Sequence, residues 1–420
     1  MIPMRASTSV TLLGLSLMVA MPALSDDWPN FRGPRHDGVS REKQITFDWP
    51  KDGLKELWRR EIGAGFSSFA IADGRVFTCG TEEQQQTLFC LDERTGGVQW
   101  TLRLEAQMTD PDPNLHGPRA TPTVDGDHVY FLASLGRMVC LSSKTGNIVW
   151  EHLFKNKPHW GYAGSVLIDG DLAIVSAGGS DGSLVALNKL TGKPVWTCGD
   201  EATGYATPYP IAVEGKRYVC GFMANSVLIA ERDTGRQALS VPWPSHSGVN
   251  VAGPLCHEDR LLVSTGYGFG AGLFKLRRDG DKLAVDELWK TLKLRNKFQT
   301  PILIDGHLYT SDETGLKCVE FATGTVVWQK RGIVHSPLIA VGDHLILLRE
   351  TGELQLARAS TSGFEISSET RLFEGSTRGL MQQITRQRQG KRCWTVPVVA
   401  NGRLFARNHD TVVCLDLLKK

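Results

Sequence analysis

Short runs of alternating apolar and polar residues recur along the whole chain and are separated by turn residues. The run from Val124 to Leu132 is representative, with apolar side chains on both sides of Asp125-Gly126. A period of two indicates β-strands, and Asp-Gly between such runs indicates a tight hairpin. Equivalent turns occur at Asp73-Gly74, Asp169-Gly170, Asp305-Gly306, Gly342-Asp343 and Asn401-Gly402. The pattern predicts an all-β chain built from hairpins.

A longer unit of about 45 residues repeats above this alternation. Each unit ends in a Thr-Gly turn that leads to a tryptophan. Four good copies span Cys90 to Trp100, Cys140 to Trp150, Ala186 to Trp196 and Cys318 to Trp328. Degenerate copies span Ile229 to Leu239, Phe274 to Trp289 and Leu356 to Ile366. The eighth copy ends at Thr411 to Asp416 without a tryptophan, and Trp58 in the early segment Leu57-Trp58-Arg59 supplies it.

Eight such units predict an eight-bladed β-propeller of four-stranded antiparallel blades, closed by an N-terminal strand. One blade cannot bury both of its faces, so blades stack radially and closure removes exposed strand edges. We interpret Trp58, Trp100, Trp150, Trp196 and Trp328 as structural residues that pack against the Thr-Gly turn of a neighbouring blade. The predicted organisation is a signal peptide at 1–25, a lead-in segment at 26–56 and the propeller at 57–420.

The phrase that ends in tryptophan resembles the docking motif of the pyrroloquinoline-quinone (PQQ) repeat family. That family includes quinoprotein alcohol dehydrogenases and BamB-like propellers, and the likeness extends from residue 57 to 417. The opening Trp28-Pro29-Asn30-Phe31-Arg32-Gly33-Pro34 is also similar to the lead-in of secreted bacterial PQQ-like propellers. The resemblance implies either a scaffold protein or an oxidoreductase, because a fold alone does not determine function.

The N-terminus predicts export. An apolar stretch from Val10 to Ala20 is too short to span a bilayer, and Ala23-Leu24-Ser25 fits a signal peptidase site before Asp26. The first cysteine is Cys79, so no lipidated cysteine follows that site. We therefore expect a periplasmic or secreted monomer without a transmembrane segment in the mature chain.

Composition changes this picture only by exclusion. The chain has 41% apolar and 22% charged residues and a formal net charge of +2, with no basic block. These values are typical of a globular protein and lack the positive surface that nucleic-acid binding requires. Nucleic acid is therefore not an expected partner.

The nine cysteines do not suggest a disulfide framework. Cys90, Cys140, Cys318 and Cys414 occupy one repeat position, which predicts small buried core residues. An odd number leaves at least one unpaired. A Cys79–Cys90 bridge on adjacent strands is the open alternative, and no cysteine–histidine spacing indicates zinc.

Candidate binding residues precede the predicted innermost strand of each blade, where they converge on the central axis. Aromatic, cationic and amide side chains in this arrangement favour a small polar or anionic ligand. The alternative is that they merely solvate the channel mouth. The predicted residues are His116, Arg119, Thr121, Trp160, Tyr162, Tyr205, Asn250, Gln299, His335 and Arg378, with Ser67, Ser68, Thr207 and Gln382 at related positions.

Catalysis on PQQ would need more than these residues. It requires a Ca²⁺-type ion, an arginine, a carboxylate base and walls that sandwich the quinone. Arg119 and Trp160 could contribute, but no adjacent cysteine pair is present and the nearest acids, Asp110 and Asp112, lie in a loop. With Asn114, those acids stand at alternating positions as oxygen donors for Ca²⁺, and the alternative is a rigid solvent-exposed loop.

The sequence therefore favours an exported binding or scaffold module for a partner protein, a peptide or a carbohydrate. It predicts no catalytic residues, no metal site and no cofactor. A minimal PQQ-dependent dehydrogenase that oxidises an alcohol or a sugar, with PQQ and calcium bound, is the alternative.

Overall fold

A computed structural model describes residues 27–110, 115–374 and 392–419. It contains eight sheets, each with four antiparallel strands of the propeller, and this confirms the predicted fold class. Two strands precede the first blade, β1 at Val39–Ser40 and β2 at Glu56–Glu61. Two 3-10 turns are also present, at Gly179–Asp181 and His246–Gly248.

The blades follow one another in chain order, and each begins with its innermost strand. Blades 1 to 4 comprise β3 Ala70–Ala72, β4 Arg75–Glu82, β5 Gln85–Asp92, β6 Val98–Ala106, β7 Thr123–Asp125, β8 His128–Leu132, β9 Arg137–Ser142, β10 Ile148–Leu153, β11 Leu167–Asp169, β12 Leu172–Ser176, β13 Leu184–Asn188, β14 Pro194–Cys198, β15 Tyr209–Val213, β16 Lys216–Phe222, β17 Ser226–Glu231 and β18 Gln237–Pro242. Blades 5 to 8 comprise β19 Leu255–His257, β20 Arg260–Thr265, β21 Gly270–Asp279, β22 Lys282–Thr291, β23 Ile302–Ile304, β24 His307–Ser311, β25 Leu316–Glu320, β26 Val326–Lys330, β27 Leu338–Val341, β28 His344–Leu348, β29 Glu353–Arg358, β30 Ile366–Arg371, β31 Val398–Ala400, β32 Arg403–Arg407 and β33 Thr411–Asp416.

Blade 8 is completed by the beginning of the chain. Strand β2 pairs antiparallel with β33, with Trp58 opposite Cys414 and Glu61 opposite Thr411. The predicted closure by an N-terminal strand is therefore confirmed. Arg407 reinforces the join, because its fully buried guanidinium donates to the carbonyl oxygens of Ser67 and Cys79 in the blade 1 region at 3.0 and 2.9 Å.

Tryptophans from one blade pack against glycines of the next. A methyl group added to Gly96 would lie 2.6 Å from the Trp58 ring, and the φ angle of +67° at Gly96 also disfavours other residues. The Trp58 indole donates to the carbonyl oxygen of Glu93 at 3.0 Å. The same stacking occurs for Trp100 on Gly146, Trp150 on Gly192, Trp196 on Gly235 and Trp289 on Gly324.

Eight of the nine cysteines are buried, and Cys256 is partly exposed. All nine are free, and Cys90, Cys140, Cys318 and Cys414 each pair across the sheet with a tryptophan. A small side chain is needed at that position because the indole occupies the space beside it. The alternative Cys79–Cys90 bridge is absent, since Cys79 lies opposite Leu88 and Cys90 lies opposite Phe77.

The lead-in crosses the central axis. Trp28 exchanges two backbone hydrogen bonds with Ile71 in blade 1, and the Pro29 carbonyl accepts from Val124 in blade 2. Arg32 then donates to the carbonyl oxygens of Thr300 and Pro301, which precede the inner strand of blade 6. Blades 2 and 6 are opposite members of an eight-bladed ring, so the segment between these contacts must span the channel.

Beyond the axis, the lead-in runs along blades 7 and 8. Strand β1 pairs in parallel with β27, and Thr46 donates to the Leu417 carbonyl at 2.8 Å. Residues 1–26, where the predicted signal peptide lies, are outside the described residues. Within the described parts of the chain, no helix has the length and apolar character needed to cross a membrane.

Candidate functional site

Hydroxyl side chains form an arc around the axis at the position two residues before the inner strands. The Ser68 amide donates to Thr121 Oγ1 at 3.1 Å, the Thr121 amide to Ser165 Oγ at 2.9 Å, and the Ser165 amide to Thr207 Oγ1 at 2.9 Å. The series is interrupted after Thr207, because Gly253 occupies the next equivalent position and has no side chain to accept; it resumes where the Gly253 amide donates to Thr300 Oγ1 at 2.7 Å. These bonds hold neighbouring blades in register around the axis.

A cavity of about 360 Å³ lies inside this arc, at the end of the channel where the inner strands begin. Phe31 of the lead-in lines it, and because the lead-in crosses the axis beside the inner strands, Phe31 closes the cavity on that side. The cavity is therefore a blind pocket at one mouth of the propeller. Volumes of this size suit a small ligand or a few side chains of a larger one.

Five of the ten predicted binding residues line this cavity. They are Arg119, Thr121, Trp160, Tyr205 and Gln299, and the related Ser68 and Thr207 join them. The Trp160 and Tyr205 rings meet edge to face with centroids 5.7 Å apart. Gln299 donates to the Trp394 carbonyl at 3.4 Å. The structure therefore brings half of the predicted residues together, and their role in binding stays a prediction.

Arg119 is held by backbone carbonyls. Its guanidinium donates to the carbonyl oxygens of Leu115, Gly117 and Trp160 at 2.9, 3.4 and 3.1 Å. Burial lowers the pKa of Arg119, and the nearby Asp110 carboxylate partly offsets that effect. Asp110 also lines the cavity, so a carboxylate and an arginine share it, although the sequence suggested only that Asp110 lies in a loop.

Four predicted residues lie elsewhere. The Tyr162 hydroxyl donates to the carbonyl oxygen of Ala177, and Asn250 is fully buried with Nδ2 donating to Met223 and Oδ1 accepting from Thr265. The His116 ring bonds the Asp110 carbonyl at 2.8 Å, outside the cavity lining. His335 lies behind the lining, against Trp394, at a centroid distance of 5.9 Å.

The remaining predicted residue, Arg378, lies outside the described residues, as does Gln382. Asp112 and Asn114 of the candidate calcium loop are also outside them. Ser67 is described but structural, because its hydroxyl accepts from the Cys79 amide at 3.1 Å.

Much of the aromatic lining was not predicted from the sequence. Phe66 and Trp394 stack with centroids 5.8 Å apart, and Phe298 packs 4.9 Å from Trp394. Lys297 lies over the Tyr267 ring at 4.6 Å and over Phe298 at 5.1 Å. The missed lining residues also include Phe31, Ala163, Ser165, Val249 and Val251. Phe66, Phe298 and Trp394 precede inner strands in sequence, and this register was the available signal.

Comparisons with known proteins give the same architecture. A family model described as "Outer membrane protein assembly factor BamB" matches residues 50–159 and 154–330. The chain belongs to this family. Its similarity to the curated BamB family member from Burkholderia pseudomallei (strain K96243) is 23% identity over 316 residues, which covers 71% of this chain and 75% of that protein.

Solved structures extend the likeness to the fold. BamB from Moraxella catarrhalis is similar with a TM-score of 0.60 and 13% identity, over 87% of this chain and 98% of that one. Quinohemoprotein alcohol dehydrogenase from Comamonas testosteroni is similar with a TM-score of 0.63 and 13% identity, over 93% of this chain and 80% of that one. Identities this low support a common fold and leave function to the site itself.

The cavity does not fit a calcium–quinone pair. Calcium takes six to eight oxygen ligands, usually with several carboxylates. Among the described lining residues Asp110 is the only carboxylate, and no group of three or more His, Cys, Asp or Glu side chains in residues 27–110, 115–374 and 392–419 could hold a metal. The free cysteines provide no disulfide wall for a quinone. The donor set instead suits direct binding of an organic group.

Proposed function

We propose that this chain is a binding module of the bacterial cell envelope that holds a partner protein at the mouth of its propeller. The observation that carries this proposal is the blind cavity, which has aromatic walls, cationic and hydroxyl groups, and a single described carboxylate. Such a site offers contact area and hydrogen bonds but no metal ligand set. The chain belongs to a family that is described as an outer membrane protein assembly factor, and this membership supports a protein partner over a carbohydrate.

Export to the periplasm or beyond is part of this proposal. It rests on the sequence features of the N-terminus and on membership of the BamB family, which is described as an outer membrane protein assembly factor. Mass determination of the mature protein, with Asp26 expected as its first residue, tests the export step.

Site-specific photocrosslinking tests the binding function. A photoreactive residue placed at Phe269, which is 40% exposed in the same hairpin turn as Tyr267, should capture a discrete partner in cells. Leu190, which is 56% exposed on the outer turn of blade 3, is the matched control. A specific adduct from Phe269 and none from Leu190 supports the proposal. Equal labelling from both positions, or none from Phe269, contradicts it.

The minimal PQQ-dependent dehydrogenase is the second candidate, favoured by the presence of Asp110 and Arg119 in one cavity. Incubation of the purified chain with PQQ and Ca²⁺, followed by gel filtration, tests it directly. Co-eluting quinone absorbance together with dye reduction in the presence of alcohols or sugars would establish this candidate. We expect neither signal, because the described lining lacks a calcium ligand set.

A further inference from the structure

Positive groups and hydrogen-bond donors dominate the polar part of the cavity. Among the described residues that line the cavity, Lys297 and Arg119 are the cations and Asp110 is the only carboxylate. Lys297 sits over the faces of Tyr267 and Phe298, a cation–π arrangement that holds an ammonium group in place. A ligand that brings a negative charge close to Lys297 would therefore meet a positioned positive partner.

The hydroxyl arc adds hydrogen-bond donors to the same lining. Thr121, Ser165 and Thr207 each accept a backbone amide hydrogen through the side-chain oxygen. A hydroxyl that accepts one hydrogen bond still carries its own hydrogen to donate. Burial also raises the pKa of Tyr267 to about 12, so this phenol stays protonated near neutral pH. The cavity thus suits a ligand rich in acceptor oxygens.

The walls of the cavity are suited to a ring. Phe66, Trp394 and Phe298 form a contiguous aromatic cluster on one side, with centroid distances of 4.9 to 5.8 Å. Trp160 and Tyr205 form a second pair. Aromatic pairs prefer offset-stacked or edge-to-face contacts at these distances, so an inserted ring can join either group.

Apolar surface continues outside the cavity. Tyr267 is both a lining residue and 40% exposed, and Phe269 in the same turn is equally exposed without belonging to the lining. A ligand confined to 360 Å³ would leave Phe269 in water. A ligand that extends out of the mouth would cover both rings, as expected for a peptide with one side chain in the cavity.

We propose that this cavity anchors an extended segment of the partner protein that carries an aromatic residue flanked by acidic residues. The aromatic side chain enters between the two aromatic groups, a neighbouring carboxylate meets Lys297, and the hydroxyl arc donates to carbonyl oxygens of the segment. The rest of the segment leaves across Tyr267 and Phe269. This inference rests on the proposed binding function and adds the chemistry of the segment that is bound.

Calorimetry with unlabelled peptides provides the test. The probes are acetylated and amidated tripeptides with the sequences Asp-Phe-Asp, Lys-Phe-Lys and Asp-Ala-Asp, together with N-acetylphenylalanine. We expect measurable binding of Asp-Phe-Asp and at least tenfold weaker binding of Lys-Phe-Lys and Asp-Ala-Asp. Equal affinity for Lys-Phe-Lys overturns the charge assignment, and equal affinity for N-acetylphenylalanine shows a small-ligand site instead of a peptide anchor.

Variants connect the binding to the cavity. Lys297→Gln should weaken Asp-Phe-Asp about tenfold, because it removes a charged donor at the carboxylate. Lys297→Arg retains the charge and should largely restore affinity. Lys193→Gln removes the same charge on an exposed turn of blade 3 and should change nothing. Unaltered affinity in folded Lys297→Gln overturns the inference.

The two proposals fail separately. If Phe269 captures a partner in cells while none of the tripeptides binds, the inference about the segment is wrong and the binding function stands. If neither is observed, both are wrong.

Discussion

Replacement of Trp58 by alanine tests the closure of the ring. Trp58 is 7% exposed, stacks on Gly96 and donates to the Glu93 carbonyl, and its ring lies 6.1 Å from that of Phe405. Truncation of a buried tryptophan costs about 3–5 kcal/mol, and the buried carbonyl left without its donor adds about 1 kcal/mol. We therefore expect a loss of about 5 kcal/mol in the free energy of unfolding.

The corresponding shift in melting temperature is modest because the chain is long. Unfolding entropy of about 2.1 cal/mol/K per residue over the roughly 395 residues that follow the predicted cleavage site gives roughly 0.8 kcal/mol/K. A loss of about 5 kcal/mol then lowers the melting temperature by about 6 °C. Differential scanning calorimetry measures this shift, and hydrogen exchange of β2 and β33 should report the opened join.

Two variants calibrate the result. Trp150→Ala removes an equally buried indole, bonded to the Lys189 carbonyl, between blades that are consecutive in the chain. It should lower the melting temperature comparably without faster exchange in β2 and β33. Trp58→Phe keeps most of the apolar contact and should cost only about 1–2 kcal/mol. A shift below about 1 °C for Trp58→Ala would refute the reasoning.

Two further predictions concern the lead-in. Burial first, and then the Arg32 charge, lower the pKa of His36 to about 4, so the unfolded chain binds this proton more readily. Stability should therefore fall as pH drops from about 6.5 towards 4, by up to about 3 kcal/mol, and urea unfolding of His36→Gln should lack that part of the slope. If the two proteins show the same pH dependence, His36 does not titrate as described. Arg32→Leu removes the hydrogen bonds to Thr300 and Pro301, and hydrogen exchange in residues 28–40 should accelerate while β8 stays protected. Unchanged exchange in 28–40 would contradict the role of Arg32.

The repeat made the architecture accessible from sequence. Trp58 could be assigned to blade 8 because the last repeat lacks a tryptophan where the others have one, and β2 does pair with β33. Small residues opposite the indoles, such as Cys90 and Cys140, were recognisable as core for the same reason. Both inferences depend on the repeat of about 45 residues, which remains recognisable when individual residues are substituted.

The site could be predicted only in part, because the direction in which a loop side chain points follows no sequence period. Thr121 and Thr207 face the axis, whereas Tyr162 and Asn250, in similar segments, turn away to satisfy buried carbonyls. Whether such a side chain points to the axis or bonds a buried carbonyl depends on backbone groups of other strands, and the local sequence does not determine where those groups lie. Tyr267 could not be predicted for a further reason. It reaches the cavity from the hairpin turn between β20 and β21, whereas the candidates were sought ahead of the inner strands.

The path of the lead-in also bears on how the folded molecule resists deformation. A ring of blades that is held only by contacts between adjacent blades can widen or flatten through small displacements at each interface between blades. Residues 28–40 act as a spoke, since they are tied to blades on opposite sides of the axis. The diameter of the propeller is therefore constrained by a segment that crosses its channel. The geometry of the channel mouth depends on this segment, although the segment lies at the opposite side of the cavity from the opening.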